Sequence, residues 1–141
     1  MSRLESFRKE RERLNARVLE TATLETKRFF SLDGQTYRAG ALSAKTKELM
    51  GLVASMVLRC DDCISYHLIR CAEEGVSDEE FQESFSVALI VGGSIVIPHL
   101  RRAVDFVDEI RGAAKKKISA AAGSTSRRAA DVYLLRSVGA A

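Results

Sequence analysis

The chain has 141 residues, with 46% hydrophobic and 29% charged side chains, the balance of a folded soluble domain and not of a disordered or membrane-embedded chain. Its net charge of +3 is unevenly placed: residues 112–141 carry six basic groups and one acid, a surplus of five, while the rest carry 16 and 18, a deficit of two. The basic excess belongs to the tail, so the folded part shows no electrostatic footprint for nucleic acid, and none is expected as a partner.

With one proline, Pro98, and plenty of Ala, Leu, Glu, Arg and Lys, the chain favours helix. Residues 3–30 read as an amphipathic helix with a stripe of Leu4, Phe7, Leu14 and Val18, which Arg11 interrupts. Phe29 and Phe30 then meet Ser31-Leu-Asp33-Gly34, where Asp-Gly predicts a turn. Gly40 ends the connecting loop. Ser43 is a good N-cap for a helix from Ala44. That helix is apolar nearly all round, as expected of a buried central helix, with Glu48 near its start. Gly51 inside it either allows a close backbone approach or costs a little helix stability.

From Ala44 to Glu74 a single continuous helix is possible. A break at Arg59–Asp62 is preferred, because such a helix is long for a compact domain and Asp61 and Asp62 suit an N-cap or first turn. The second helix then runs from about Asp62 to Glu74, with Gly75 ending it. Ser77 and Glu80 form a capping box for a helix with Phe81, Phe85, Ala88 and Leu89 on one face. Gly92-Gly93-Ser94 interrupts it, and Pro98 suits the first turn of a final helix. There Leu100, Ala103, Val104, Val107 and Ile110 are expected to face in, and Gly112 to close the helix. Residues 113–126 read as a linker, and 127–138 as either a short amphipathic helix or loose chain. The expectation is an all-α fold of five to seven helices: an amphipathic arm over 1–32, a core over 33–112 and a basic, flexible tail over 113–141.

The first residues are charged and do not read as a secretory signal, and the apolar run Ser84 to Pro98 is too short for a bilayer. A cytoplasmic protein with no membrane partner is expected. Three cysteines in a reducing compartment serve redox or metal chemistry, or plain packing, more readily than a disulfide framework.

Chemistry concentrates in Cys60-Asp-Asp-Cys63-Ile-Ser-Tyr-His67. On a helix Cys60, Cys63 and His67 share about a 60° arc. Neighbouring turns bring Cα atoms to about 5–6 Å, within reach of a disulfide. At a helix start, free amides and the dipole favour a thiolate, and His67 can take or hold a thiol proton. A packed carboxylate such as Glu48 can act as a second proton acceptor. Two plainer readings compete: ordinary buried cysteines, and zinc. Against zinc, one helix would put Cys60 and Cys71 about 16 Å apart along its axis, too far for one ion. No metal or cofactor is expected. Cys71 suits core packing, His99 a surface or capping role, and Tyr37 and Tyr66 could line a cleft.

The run Gly40-Ala-Leu-Ser-Ala-Lys-Thr-Lys-Glu48, with Cys60, Cys63, His67 and then Gly75-Val-Ser-Asp-Glu-Glu80, resembles the carboxymuconolactone decarboxylase family. The closest likeness is to its AhpD-like alkylhydroperoxidase branch, over about residues 33–111. The pattern Glu-x11-Cys-x-x-Cys-x3-His is more specific than C-x-x-C alone. The resemblance implies an all-α fold with the C-x-x-C opening a helix, in homo-oligomers such as trimers or hexamers. It implies a thiol-dependent peroxidase or disulfide reductase: Cys63 attacks a hydroperoxide, Cys60 resolves, and Glu48 and His67 relay protons. A lipoyl or thioredoxin-like dithiol protein would be the reductant. In that branch a histidine precedes the second cysteine. Here it is Asp62, an anion that opposes a thiolate at Cys63. The family's decarboxylase branch, acting on a small lactone without a cysteine pair, is the alternative, and a non-catalytic oligomeric binding protein is a third.

Overall fold

The computed structural model describes residues 1–137, with side chains to residue 120. The described residues form six α-helices and one 3-10 turn, with no strand: α1 (Arg3–Thr21), α2 (Leu24–Thr36), α3 (Ala44–Val57), α4 (Asp61–Glu73), α5 (Asp78–Gly92), the turn Ser94–Val96, and α6 (Ile97–Ser137). The all-α expectation holds. The chain divides into a unit over Met1–Glu109 and a second over Ile110–Ala141.

The first unit is built around α3, which packs against α4 and α5. Its core holds Leu52 and Met56 of α3, Leu68 of α4, Phe81 and Phe85 of α5, and Phe106 of α6. The caps follow the sequence. Ser43 accepts from the Thr46 amide, and Ser77 and Glu80 form the expected reciprocal box. Gly93 ends α5 at φ 75°, where a side chain would be strained.

Several expectations are corrected. The helix of residues 3–30 is two helices, because Thr23 caps a new one through the Thr26 amide. The turn at Asp33-Gly34 does not form: α2 continues to Thr36. Of the α1 stripe, Leu4 is buried and Phe7 meets Phe106 edge-on at 6.4 Å, while Leu14 and Val18 stay open. Arg11 interrupts the stripe because its guanidinium lies 4.1 Å over the Tyr66 ring. Nor is α3 buried all round, since Met50 and the C-cap Leu58 are exposed. On α6, Phe106 is buried and Val104 is not.

Gly112 does not close α6 either, and the expected linker over 113–126 is helical. One internal glycine costs about 1 kcal/mol against alanine. Ala113, Ala114 and the three lysines that follow are strong helix formers. The amphipathic face expected over 127–138 rests on side chains outside the described ones.

Candidate active site

The C-x-x-C turn is positioned by the end of α3. Leu58 is the C-cap, and Arg59 follows at φ 59°, in the left-handed region. The Arg59 amide donates to Met56 O at 3.1 Å and the Cys60 amide to Ser55 O at 3.1 Å. This is a Schellman motif with arginine where glycine is usual. The same pattern ends α4 with the expected residue: Gly75 donates to Ala72 O at 3.2 Å and Val76 to Cys71 O at 3.0 Å.

Cys60 is therefore both the residue that finishes α3 and the N-cap of α4. The break falls where the sequence predicted, but Asp61 and Asp62 occupy the first turn and Cys60 takes the cap. Its Sγ accepts from the Cys63 amide at 3.3 Å. Cys60 and Cys63 form a disulfide, with Cα atoms 5.3 Å apart, and Cys63 is the more exposed of the two.

Glu48 of α3 and His67 of α4 meet in the interior. Glu48 is only 1% exposed, and its Oε2 lies 2.8 Å from His67 Nδ1. A carboxylate can only accept, so Nδ1 carries a proton, and in the neutral ring Nε2 is the acceptor. Glu48 Oε1 accepts from Arg70 Nε at 3.3 Å, so both its oxygens are engaged. Tyr37 and Tyr66 flank the imidazole, each with its ring centroid 5.2 Å away. Burial, with the negative charges of Asp33 and Glu48, pushes the Tyr37 hydroxyl above its usual range. Burial, then Glu48, does the same for Tyr66. Gly51 explains how the ring fits. A Cβ there would stand 2.5 Å from His67 Cε1 and 2.8 Å from the Tyr37 hydroxyl, so the close-approach reading of this glycine is the right one.

The four residues singled out in the sequence thus form two pairs, Cys60 with Cys63 and Glu48 with His67. Both pairs draw on α4, and no hydrogen bond joins His67 to either cysteine among the described residues. Cys71 is buried as expected, and burial pushes its thiol up to about 12. Among the described residues no group of three or more His, Cys, Asp or Glu is placed to hold a metal ion. Sequence reasoning missed Arg70, whose signal was its position one turn after His67 on the same helix. It also missed that His99 would reach Asp61, a pairing across 38 residues that no local spacing encodes.

The sequence profile of the carboxymuconolactone decarboxylase family matches residues 25–106. Two crystal structures of one Thermotoga maritima protein are 62% identical to this chain. They cover 79% of it and 98% and 94% of their own chains, with TM-scores of 0.78 and 0.76. One is described as a carboxymuconolactone decarboxylase family protein with a suggested part in antioxidative response. A Legionella pneumophila protein of the same family is 23% identical over 78% of this chain and 98% of its own, with a TM-score of 0.71, and shares the fold. A Paracoccus denitrificans protein, described as uncharacterized protein 4 in the cox locus, is 31% identical over 60% of this chain and 77% of its own length.

Proposed function

This chain belongs to the carboxymuconolactone decarboxylase family, and from that premise we propose that it is an AhpD-like thiol peroxidase or disulfide reductase. The observation that carries the reading is the C-x-x-C, paired as a disulfide at the N-terminus of α4. The antioxidative part suggested for the Thermotoga maritima protein supports it.

The cycle has three balanced steps. The Cys63 thiolate attacks a hydroperoxide oxygen, the O–O bond breaks, and an alcohol leaves once its alkoxide takes a proton. The Cys60 thiolate then attacks the Cys63 sulfenic sulfur, the S–O bond breaks as the disulfide forms, and the departing hydroxide takes a proton to leave as water. A dithiol protein, of lipoyl or thioredoxin-like chemistry, reduces the disulfide and leaves as its own disulfide. Exposure of Cys63 suits the first step. The Cys63 amide aimed at Cys60 Sγ suits the second, because it stabilises charge on the resolving sulfur. Nε2 of His67 is the acceptor through which protons would pass, with Glu48 holding the ring and stabilising an imidazolium.

We propose as well that the chain assembles as a homo-oligomer. α2 has no buried residue, and Phe29, Leu32, Met50, Leu58, Ile90 and Val91 are all exposed. α3 and α5 border an open apolar groove of about 770 Å³. An apolar face this extensive suits a second copy of the same surface. Light scattering should give a mass above that of the 15.5 kDa chain, and Ile90→Asp should lower it.

The test of function is a thiol count on reduced protein after a hydroperoxide pulse. Two of the three thiols should disappear, with Cys71 surviving until denaturation. Cys63→Ser should abolish the loss. Equal thiol counts before and after the pulse would sink the redox reading. Turnover of a small lactone that survives loss of both cysteines would put decarboxylase-type chemistry in its place. Among the described residues no helix is long and apolar enough to cross a membrane.

A further inference from the structure

The second histidine of the chain, His99, meets the C-x-x-C turn at Asp61. Asp61, between the two cysteines, accepts from His99 Nδ1 at 2.8 Å. It also accepts from Arg102 Nε at 3.3 Å and from Arg102 Nη2 at 3.1 Å on each of its oxygens. His99 and Arg102 lie three residues apart on α6, one turn above each other, and close on a residue of α4 about forty positions away in sequence. Arg102 Nη2 also lies 3.0 Å from His99 Nδ1. With Nδ1 protonated both side chains donate to the carboxylate, and the 3.0 Å approach of Arg102 to Nδ1 is then a donor-to-donor contact and not a hydrogen bond.

The turn has a charge problem that this arrangement addresses. Asp61 and Asp62 place two anions within one helical turn of sulfurs that must carry negative charge when reduced. Asp62 has no ion-pair or hydrogen-bond partner among the described residues. Asp61 has two cationic or cation-capable ones. Although burial would raise it, the hydrogen bonds from His99 and Arg102 hold its carboxyl below the usual range, so it stays charged and paired.

We propose that Asp61, His99 and Arg102 form an electrostatic clamp that sets the redox equilibrium of the Cys60–Cys63 pair. It does so by cancelling the Asp61 charge beside the thiolates. None of the three exchanges atoms with a substrate, so they are positioning residues, and the inference rests on the redox reading above. In the relevant equilibrium the disulfide takes two electrons from two glutathione molecules, giving two protein thiols and one oxidised glutathione. Thiolate stabilisation favours the reduced side.

The experiment is that equilibrium, measured by thiol trapping in reduced and oxidised glutathione near pH 8.5, where ordinary cysteine thiolates are populated. Arg102→Gln leaves Asp61 undercompensated and should move the equilibrium toward disulfide by about three- to tenfold. Asp61→Asn leaves the cations uncancelled and should move it toward dithiol by a similar factor, with tenfold corresponding to about 30 mV. Both shifts should shrink in 1 M salt, where the Debye length is about 3 Å. Arg102→Lys, which keeps the charge, should restore most of the wild-type value.

A purely structural tie would be weakened by both substitutions and give shifts of the same sign. Shifts of the same sign, or no shift while the pair still forms its disulfide, overturn the clamp and leave the redox reading intact. A wild-type pair that never forms a disulfide with glutathione overturns both. The outcomes are distinguishable because the wild type is measured first.

Discussion

Each described histidine holds a carboxylate through Nδ1 at 2.8 Å, and α4 contributes one member of each pair. In both an arginine shares the carboxylate, and what separates the two pairs is burial. In the first, the side chains of His67 and Glu48 are 9% and 1% exposed, with two tyrosine rings against the imidazole. In the second, those of His99 and Asp61 are 14% and 55% exposed. Identical bond lengths therefore carry different energies. Water and salt screen the second pair, while for the first there is no solvent to replace a lost partner.

The largest expected effect comes from breaking the buried pair. Glu48→Ala strands the His67 Nδ1–H and removes the acceptor from Arg70 Nε, and should cost about 3–5 kcal/mol in denaturant unfolding. Glu48→Gln keeps an acceptor oxygen for one of the two donors and should cost less. If Glu48→Ala is no worse than Asp61→Ala, burial does not distinguish the pairs and the comparison falls.

Gly51→Ala tests how tightly the first pair is held without touching either of its members. The new Cβ would stand 2.5 Å from His67 Cε1 and 2.8 Å from Nε2, so the buried ring must move. Overpacking of this kind costs about 1–3 kcal/mol, against about 1 kcal/mol gained in helix propensity. A net loss of about 1 kcal/mol is expected, with displacement of the His67 ring signals in an NMR spectrum. The His99 signals should not move. If both histidines shift together, the two pairs are not independent.

The sequence made the second element of each pair visible to very different degrees. Cys63 and His67 share α4, where fixed periodicity converts spacing into geometry, while Cys60 stands just outside it as the N-cap. Glu48 was legible through its resemblance pattern, and its burial was not. Asp61 and His99 belong to different helices, and the angle between helices follows from packing that no local spacing records. Gly51 pointed to a close approach without naming the ring that uses it. The break at Arg59–Asp62 was predicted from Asp61 and Asp62, and the backbone turns within it, at Arg59. Arginine gives no signal for a left-handed position, whereas Gly75, at φ 75° in the matching motif after α4, was read correctly. In α6 the local content of Ala and Lys outweighed Gly112, which reads as a terminator only when weaker helix formers follow it.

Arg59→Gly asks whether that hinge holds either pair in place. The left-handed region costs a non-glycine residue about 1–2 kcal/mol, and glycine returns about 0.5–1 kcal/mol of that in unfolded-state freedom. A net stabilisation of about 0.5–1 kcal/mol is expected from chemical unfolding, with His67 and His99 signals unchanged. Destabilisation would mean that the Arg59 side chain fixes the α3–α4 turn, and with it the geometry of both pairs.

The smallest effect is expected at the exposed pair, and its sign with pH is fixed. The Asp61 carboxyl is held below its usual value, so its contribution to stability is present above the unfolded value near 3.9. That contribution is lost as pH falls through the lower folded value. At neutral pH Asp61→Asn should cost less than about 1 kcal/mol, because more than half of the side chain meets solvent. The difference from wild type should fade in acid and shrink in 1 M salt. Glu48 variants should keep their deficit in the same salt, since little solvent reaches that carboxylate to screen it. A salt-insensitive loss at Asp61 would mean that the clamp is anchored by packing of α4 against α6 and not by charge, and the contrast between the two histidines would then rest on burial alone.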